Sequence, residues 1–111
     1  LPDVLLKGNP MIITDNTKNP AVNKSINLKD LAQYSNGRTD CAQVIATGAI
    51  SAGSVKLTVS QDNATFYPLN DEYGAQITLT AGVPVYLKFA NLYIKCDLSG
   101  VTSADLKVAV Q

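Results

Sequence analysis

The chain of 111 residues has no histidine and no tryptophan, and it holds only two cysteines, two phenylalanines and one methionine. Without histidine it lacks the commonest general acid–base and the commonest metal-ligating side chain. Without tryptophan it lacks the largest ring on which a sugar can stack. Net charge is missing too, since nine basic and nine acidic residues cancel. No segment gathers the Lys and Arg that a phosphate backbone requires, so no nucleic-acid partner is expected. The longest apolar runs, such as residues 83–87, fall far short of the about 20 residues a membrane-spanning helix needs, so no membrane partner is expected. No basic segment followed by an apolar run opens the chain, so no secretion signal is expected.

What the chain does have is alternation. Val55, Leu57 and Val59 alternate with Lys56, Thr58 and Ser60, and Leu106, Val108 and Val110 alternate around Lys107 and Ala109. A period of two sends one row of side chains into a core and the other into solvent, as in a half-buried antiparallel strand. An apolar fraction of 46% over this length is enough for one ordinary domain with a core of its own. From residue 41 onward strands and turns follow one another every 8–12 residues. That rhythm predicts an all-β fold, an antiparallel β-sandwich of jelly-roll-like form. The strands expected are residues 43–50 and 54–60, paired as a hairpin across 51–53, then 65–69, 76–80, 83–90, 93–98 and 105–111. Pro68 marks 65–69 as an edge or an end.

Residues 1–27 are different in kind. They carry Pro2, Pro10 and Pro20, five asparagines, and one good apolar cluster at Met11-Ile12-Ile13. Proline removes a main-chain donor and extends the residue before it, so helix is disfavoured. The expected organisation is an extended amino-terminal arm over 1–27, with one short strand near 11–14, and a sandwich domain over 28–111. Met11, Ile12 and Ile13 are the arm residues expected to bind a partner. Between Ser25 and Tyr34 the pattern fits either a strand and turn or one short helix, with Asp30 as a candidate cap.

Chemistry is sparse. Cys41 and Cys96 form no CxxC pair, and Cys96 falls in phase with Ile94 and Leu98, so it reads as a buried free thiol; a disulfide to Cys41 is the alternative. The acidic turns at Asp62-Asn63 and Asn70-Asp71-Glu72 lack calcium-loop spacing, so no metal or other cofactor is expected. Asp71, Glu72 and Asp97 could serve glycoside hydrolysis only if two of them faced each other. Serine has no histidine base and no Gly-x-Ser-x-Gly elbow, so no catalytic residue is assigned and no enzyme activity is expected. Tyr67, Tyr73, Tyr86 and Tyr93 with Phe66 could form an aromatic platform; Tyr86 should point outward, opposite Val85, Leu87 and Phe89. Tyr73 and Tyr86 are therefore the candidate glycan or partner surface, against the plainer reading of tyrosines that simply cover strands. Arg38, in the polar turn 35–40, could pair with Asp40 or a partner's carboxylate.

The stretch 53–69, GSVKLTVSQDNATFYPL, reads as a strand, a Ser-x-Asp turn and an aromatic-containing strand, and residues 98–108 read LSGVTSADLKV. Together they resemble a family of small β-sandwich structural proteins from tailed-bacteriophage particles, whose turn carries Gly where this chain has Asn63. Asn tolerates the same left-handed geometry. The likeness spans about two-thirds of the chain and carries over no catalytic residues. It implies a non-enzymatic virion component made in the host cytoplasm. Its expected role is capsid decoration, with the major capsid protein or another virion protein as partner and a homo-oligomer, dimer or trimer, as the assembled form. The alternative is a carbohydrate-binding or adaptor module of a fibre, tail or baseplate.

Overall fold

The computed structural model describes residues 11–32, 41–50, 53–88 and 90–111, and among them nearly all the regular secondary structure is strand. The strands are β1 (Met11–Asp15), β2 (Val22–Asn23), β3 (Ile26–Asn27), β4 (Cys41–Thr47), β5 (Val55–Ser60), β6 (Tyr67–Pro68), β7 (Thr78–Leu79), β8 (Val85–Lys88), β9 (Tyr93–Asp97) and β10 (Lys107–Val110), with one short helix, α1 (Leu28–Ala32), after β3. Every pairing between them is antiparallel. The first sheet runs β2-β1-β10-β4-β8 and the second β3-β9-β5-β6, with β7 also on β5. Because β9 takes one side of β5, β6 and β7 share the other, β6 beside Thr58 and Val59 and β7 beside Val55 and Lys56.

The alternation does the folding. Ala42, Val44 and Ala46 of β4 and Val108 and Val110 of β10 face inward from the first sheet; Val55, Leu57, Leu79, Ile94 and Cys96 meet them from the second. Each fully buried large aliphatic side chain contributes about 1.5–3 kcal/mol. Leu28 and Leu31 of α1 close one end. The Asn27 side chain accepts a hydrogen bond from the Lys29 amide at 2.9 Å, so Asn27, not Asp30, caps this turn. No helix among the described residues is long and apolar enough to cross a membrane.

Two expectations need correction. Residues 11–27 are not an arm: β1 lies between β2 and β10, and β3 pairs with β9. Ile13 and Thr14 are both fully buried, and a register shift between Ile12 and Thr14 makes this possible. Polar bonds lock the segment in place: the Thr14 hydroxyl donates to Asn23 Oδ1 at 3.1 Å, and Asn23 Nδ2 donates to the Cys96 carbonyl on the other sheet at 3.1 Å. A segment rich in Pro and Asn has little to bury by composition, yet its one apolar cluster is enough to set a strand between two others. The sandwich therefore takes in residues 11–27 as well as residues after 27, and residues 1–10 lie outside the described ones.

The second correction concerns β4 and β5, expected as a hairpin. They sit in different sheets. Gly48, at φ +86°, packs directly on the Asp105 main chain and turns the chain out of the first sheet. The strands on either side of Asn91 also lie apart, β8 in the first sheet and β9 in the second.

Candidate functional site

The turn after β5 is built from its own polar side chains. The Ser60 hydroxyl donates to Asp62 Oδ1 at 2.9 Å and accepts from the Asn63 amide at 2.9 Å. Asp62 Oδ1 also accepts from the amides of Ala64 and Thr65, both at 3.0 Å. The Thr65 and then the Ala64 amide hold the carboxyl down at a pKa of about 2. Asn63 sits at φ 61°, the left-handed geometry expected where the resembled turn has Gly, and accepts from the Ser25 hydroxyl at 2.5 Å.

Beyond the turn, Tyr67 pairs with Val59 and so shares its inward face, yet 64% of Tyr67 is exposed. The inter-sheet space is open here. Val59, Tyr67, Leu69 and Leu92 line a notch of about 590 Å³ together with Ser60, Gln61, Asp62 and Thr65. The alternation of 65–69 contained the signal for Tyr67, since it falls in phase with Leu69. Sequence reasoning treated it as one ring of a platform and missed the notch.

Tyr73 is held out by a turn of similar design. Asp71 Oδ1 accepts from the amides of Tyr73 at 2.9 Å and Ala75 at 3.1 Å, and Tyr73 is 87% exposed. Tyr86 does point outward, on β8, and its hydroxyl accepts from Gln43 Nε2 at 3.2 Å. The two candidate tyrosines thus stand on different sheets' edges, Tyr73 between β6 and β7 and Tyr86 on β8. Among the described residues they are, with Tyr67 and Val83, the exposed large apolar side chains, and all four fall within residues 67–86. Phe66 instead lies under Lys95, whose Nζ is 5.8 Å from the ring centroid.

The predicted anchor at Met11, Ile12 and Ile13 divides. Ile13 is sealed in the core; Met11 and Ile12 are half-buried, Ile12 in a cross-strand row with Ala109 and Ile45 on the outer face of the first sheet. Asp97 accepts from the amide and hydroxyl of Ser99, and Asp71 serves its own turn, so neither carboxylate is directed at the other by these bonds. Among the described residues no group of three or more His, Cys, Asp or Glu side chains could hold a metal ion. Cys41 and Cys96 are both free thiols. Burial pushes the Cys96 thiol up to a pKa of about 11, against a smaller opposite effect of the Thr14 hydroxyl. Arg38 and the rest of 33–40, with 51–52 and Phe89, lie outside the described residues.

No protein-family model, no curated protein and no solved structure matches the chain.

Proposed function

We propose that this protein is a non-enzymatic structural component of a phage particle, a capsid decoration protein that attaches to the shell by protein–protein contact. The observation that carries the reading is the concentration of exposed aromatic surface in residues 67–86, which form β6, β7 and β8 at the sheet edges. Tyrosines presented this way supply contact area at a small entropic cost. The strand order supports the same reading. With β2 taken as an appendage of β1, and β6 and β7 as one interrupted strand, the order of the two sheets is compatible with a jelly roll, an architecture recurrent in viral capsids and lectins. The attaching surface is the notch with Tyr67 and Tyr73; of the Met11–Ile13 cluster, Ile13 takes no part because it is sealed inside.

A second reading draws on the notch itself, whose mixed apolar and polar lining has the make-up of a small-ligand site, here a glycan. Immunogold labelling of particles from cells carrying the gene, followed by rebinding of purified protein to stripped particles, tests the first reading. Tyr67→Ser and Tyr73→Ser should each weaken rebinding, by about 2 kcal/mol where the ring is a hot spot. A protein absent from particles that instead binds a glycan array through Tyr67 would overturn decoration in favour of the second reading.

A further inference from the structure

The edge of the first sheet at β8 has a hydrogen-bonding pattern that can be worked out residue by residue. Gln43 and Gln111 exchange both main-chain bonds, Gln43 N–H to Gln111 O and Gln111 N–H to Gln43 O, each at 2.9 Å. In an antiparallel sheet the N–H and C=O of one residue point to the same side, and successive residues alternate. Both polar groups of Gln43 are therefore committed to the β10 side. Tyr86 stands opposite Gln43 across the β4–β8 ladder, so that pair exchanges no main-chain bonds. Val85 and Leu87, opposite Val44 and Ala42, bond to β4, and the N–H and C=O of Tyr86 and Lys88 point away from it. Carried back two residues, the alternation also turns the Pro84 carbonyl outward, where proline has no N–H to leave unpaired. Among the described residues no strand pairs with that edge.

We propose that β8 is the seam of a homodimer, in which the β8 of a second copy pairs with it antiparallel about a twofold axis through Tyr86. For the inner faces of both copies to stay on one side, paired residue numbers must share parity. Of the registers that satisfy this, the one centred on Tyr86 overlaps the whole of residues 84–88. Tyr86 N–H then donates to the other copy's Tyr86 carbonyl and the reverse, and Lys88 N–H donates to the other copy's Pro84 carbonyl and the reverse. The missing proline donor falls where this register leaves only an acceptor in use. On the inner side Val85 faces Leu87 of the second copy, extending the core. On the outer side the two Tyr86 rings, each 58% exposed in the single chain, come side by side. Cross-strand aromatic pairs of this kind stabilise sheets, and strand addition is a recognised mode of association. The two sheets become one continuous sheet, and the open edge that invites uncontrolled pairing is closed. The pairing deepens the attachment reading, since two linked copies bind a shell with higher avidity, and rests on that reading only for its role.

Sedimentation across the micromolar range tests it. The native chain should run as a dimer, and Tyr86→Lys, which sets like charges directly opposite each other, should run as a monomer with an unchanged circular dichroism spectrum. In a Cys41→Ser background, Tyr86→Cys should oxidise to a covalent dimer, because Cα atoms of a hydrogen-bonded pair lie about 5.5 Å apart, within disulfide reach. Tyr73→Cys in the same background should not. A native chain that stays monomeric, a Tyr86→Lys dimer as stable as the native one, or a Tyr86→Cys chain that fails to cross-link would each overturn the pairing. A monomeric Tyr86→Lys that still binds particles leaves attachment standing and removes only the avidity; a native dimer that binds no particle leaves the pairing and removes attachment.

Discussion

Gly53 faces Gly100 with no room for a side chain: a Cβ on Gly53 would lie 2.6 Å from the Gly100 carbonyl carbon. Both residues are at positive φ, +67° and +78°, but only one is sterically enclosed. Around Gly100 the nearest atom to an added Cβ is 3.8 Å away. Gly100→Ala should therefore cost only the left-handed strain, about 1 kcal/mol. Gly53→Ala should cost about 3 kcal/mol or more, since a main-chain clash adds to that strain. Urea midpoints of the two variants check the ranking, and equal losses would contradict the close approach.

Asn23 bridges β1 and β9 through its two side-chain bonds. Asn23→Ala leaves the Thr14 hydroxyl and the Cys96 carbonyl without this partner, at a cost of about 1–3 kcal/mol. Asn23→Asp keeps the acceptor for Thr14 but removes the donor to Cys96, so it should also destabilise. Thermal unfolding of both variants reads the effect.

Removing residues 1–20 deletes β1, which lies inside the first sheet between β2 and β10. The truncated chain should not yield a folded domain by circular dichroism or amide exchange. Ile13→Ala is the milder version, with an expected loss of about 2–5 kcal/mol from the cavity it leaves. A soluble, cooperatively unfolding truncation would show that β1 is dispensable after all.

How far the fold could be read from the residues depended on pattern strength. Alternation at 55–60 and 106–110 located β5 and β10 within about two residues, because period-two burial is a local property of the strand. Sheet assignment is not local. Nothing in 41–60 distinguishes a hairpin from a crossing between sheets, and the deciding contact, Gly48 on Asp105, joins residues far apart in sequence. Composition misled at 1–27, where prolines and asparagines masked the burial of Ile13. At the candidate site the outward Tyr86 was legible from parity. The notch was not, since it depends on how the second sheet's inner face ends around Val59 and Leu92.

Acid should loosen the turns before it affects the core. The folded-state pKa of Asp62 is lowered from 3.8 to about 2, and Asp15, Asp97 and Asp105 are lowered as well, chiefly by neighbouring hydroxyls. A carboxyl with a depressed folded pKa stabilises the fold above its unfolded pKa, and this is lost as pH falls through the folded value. Stability should therefore hold down to about pH 4 and decline toward about pH 2. Asp62→Asn should flatten that decline in urea titrations at successive pH values, and an unchanged slope would remove Asp62 from the account.

The burial of Cys96 gives the native chain a practical asymmetry. Its thiol stays protonated and enclosed near neutral pH, while Cys41 looks out from β4 beside Lys88. A maleimide dye or gold cluster should react at Cys41 first, giving a ready-made fiducial for microscopy without engineering the sequence.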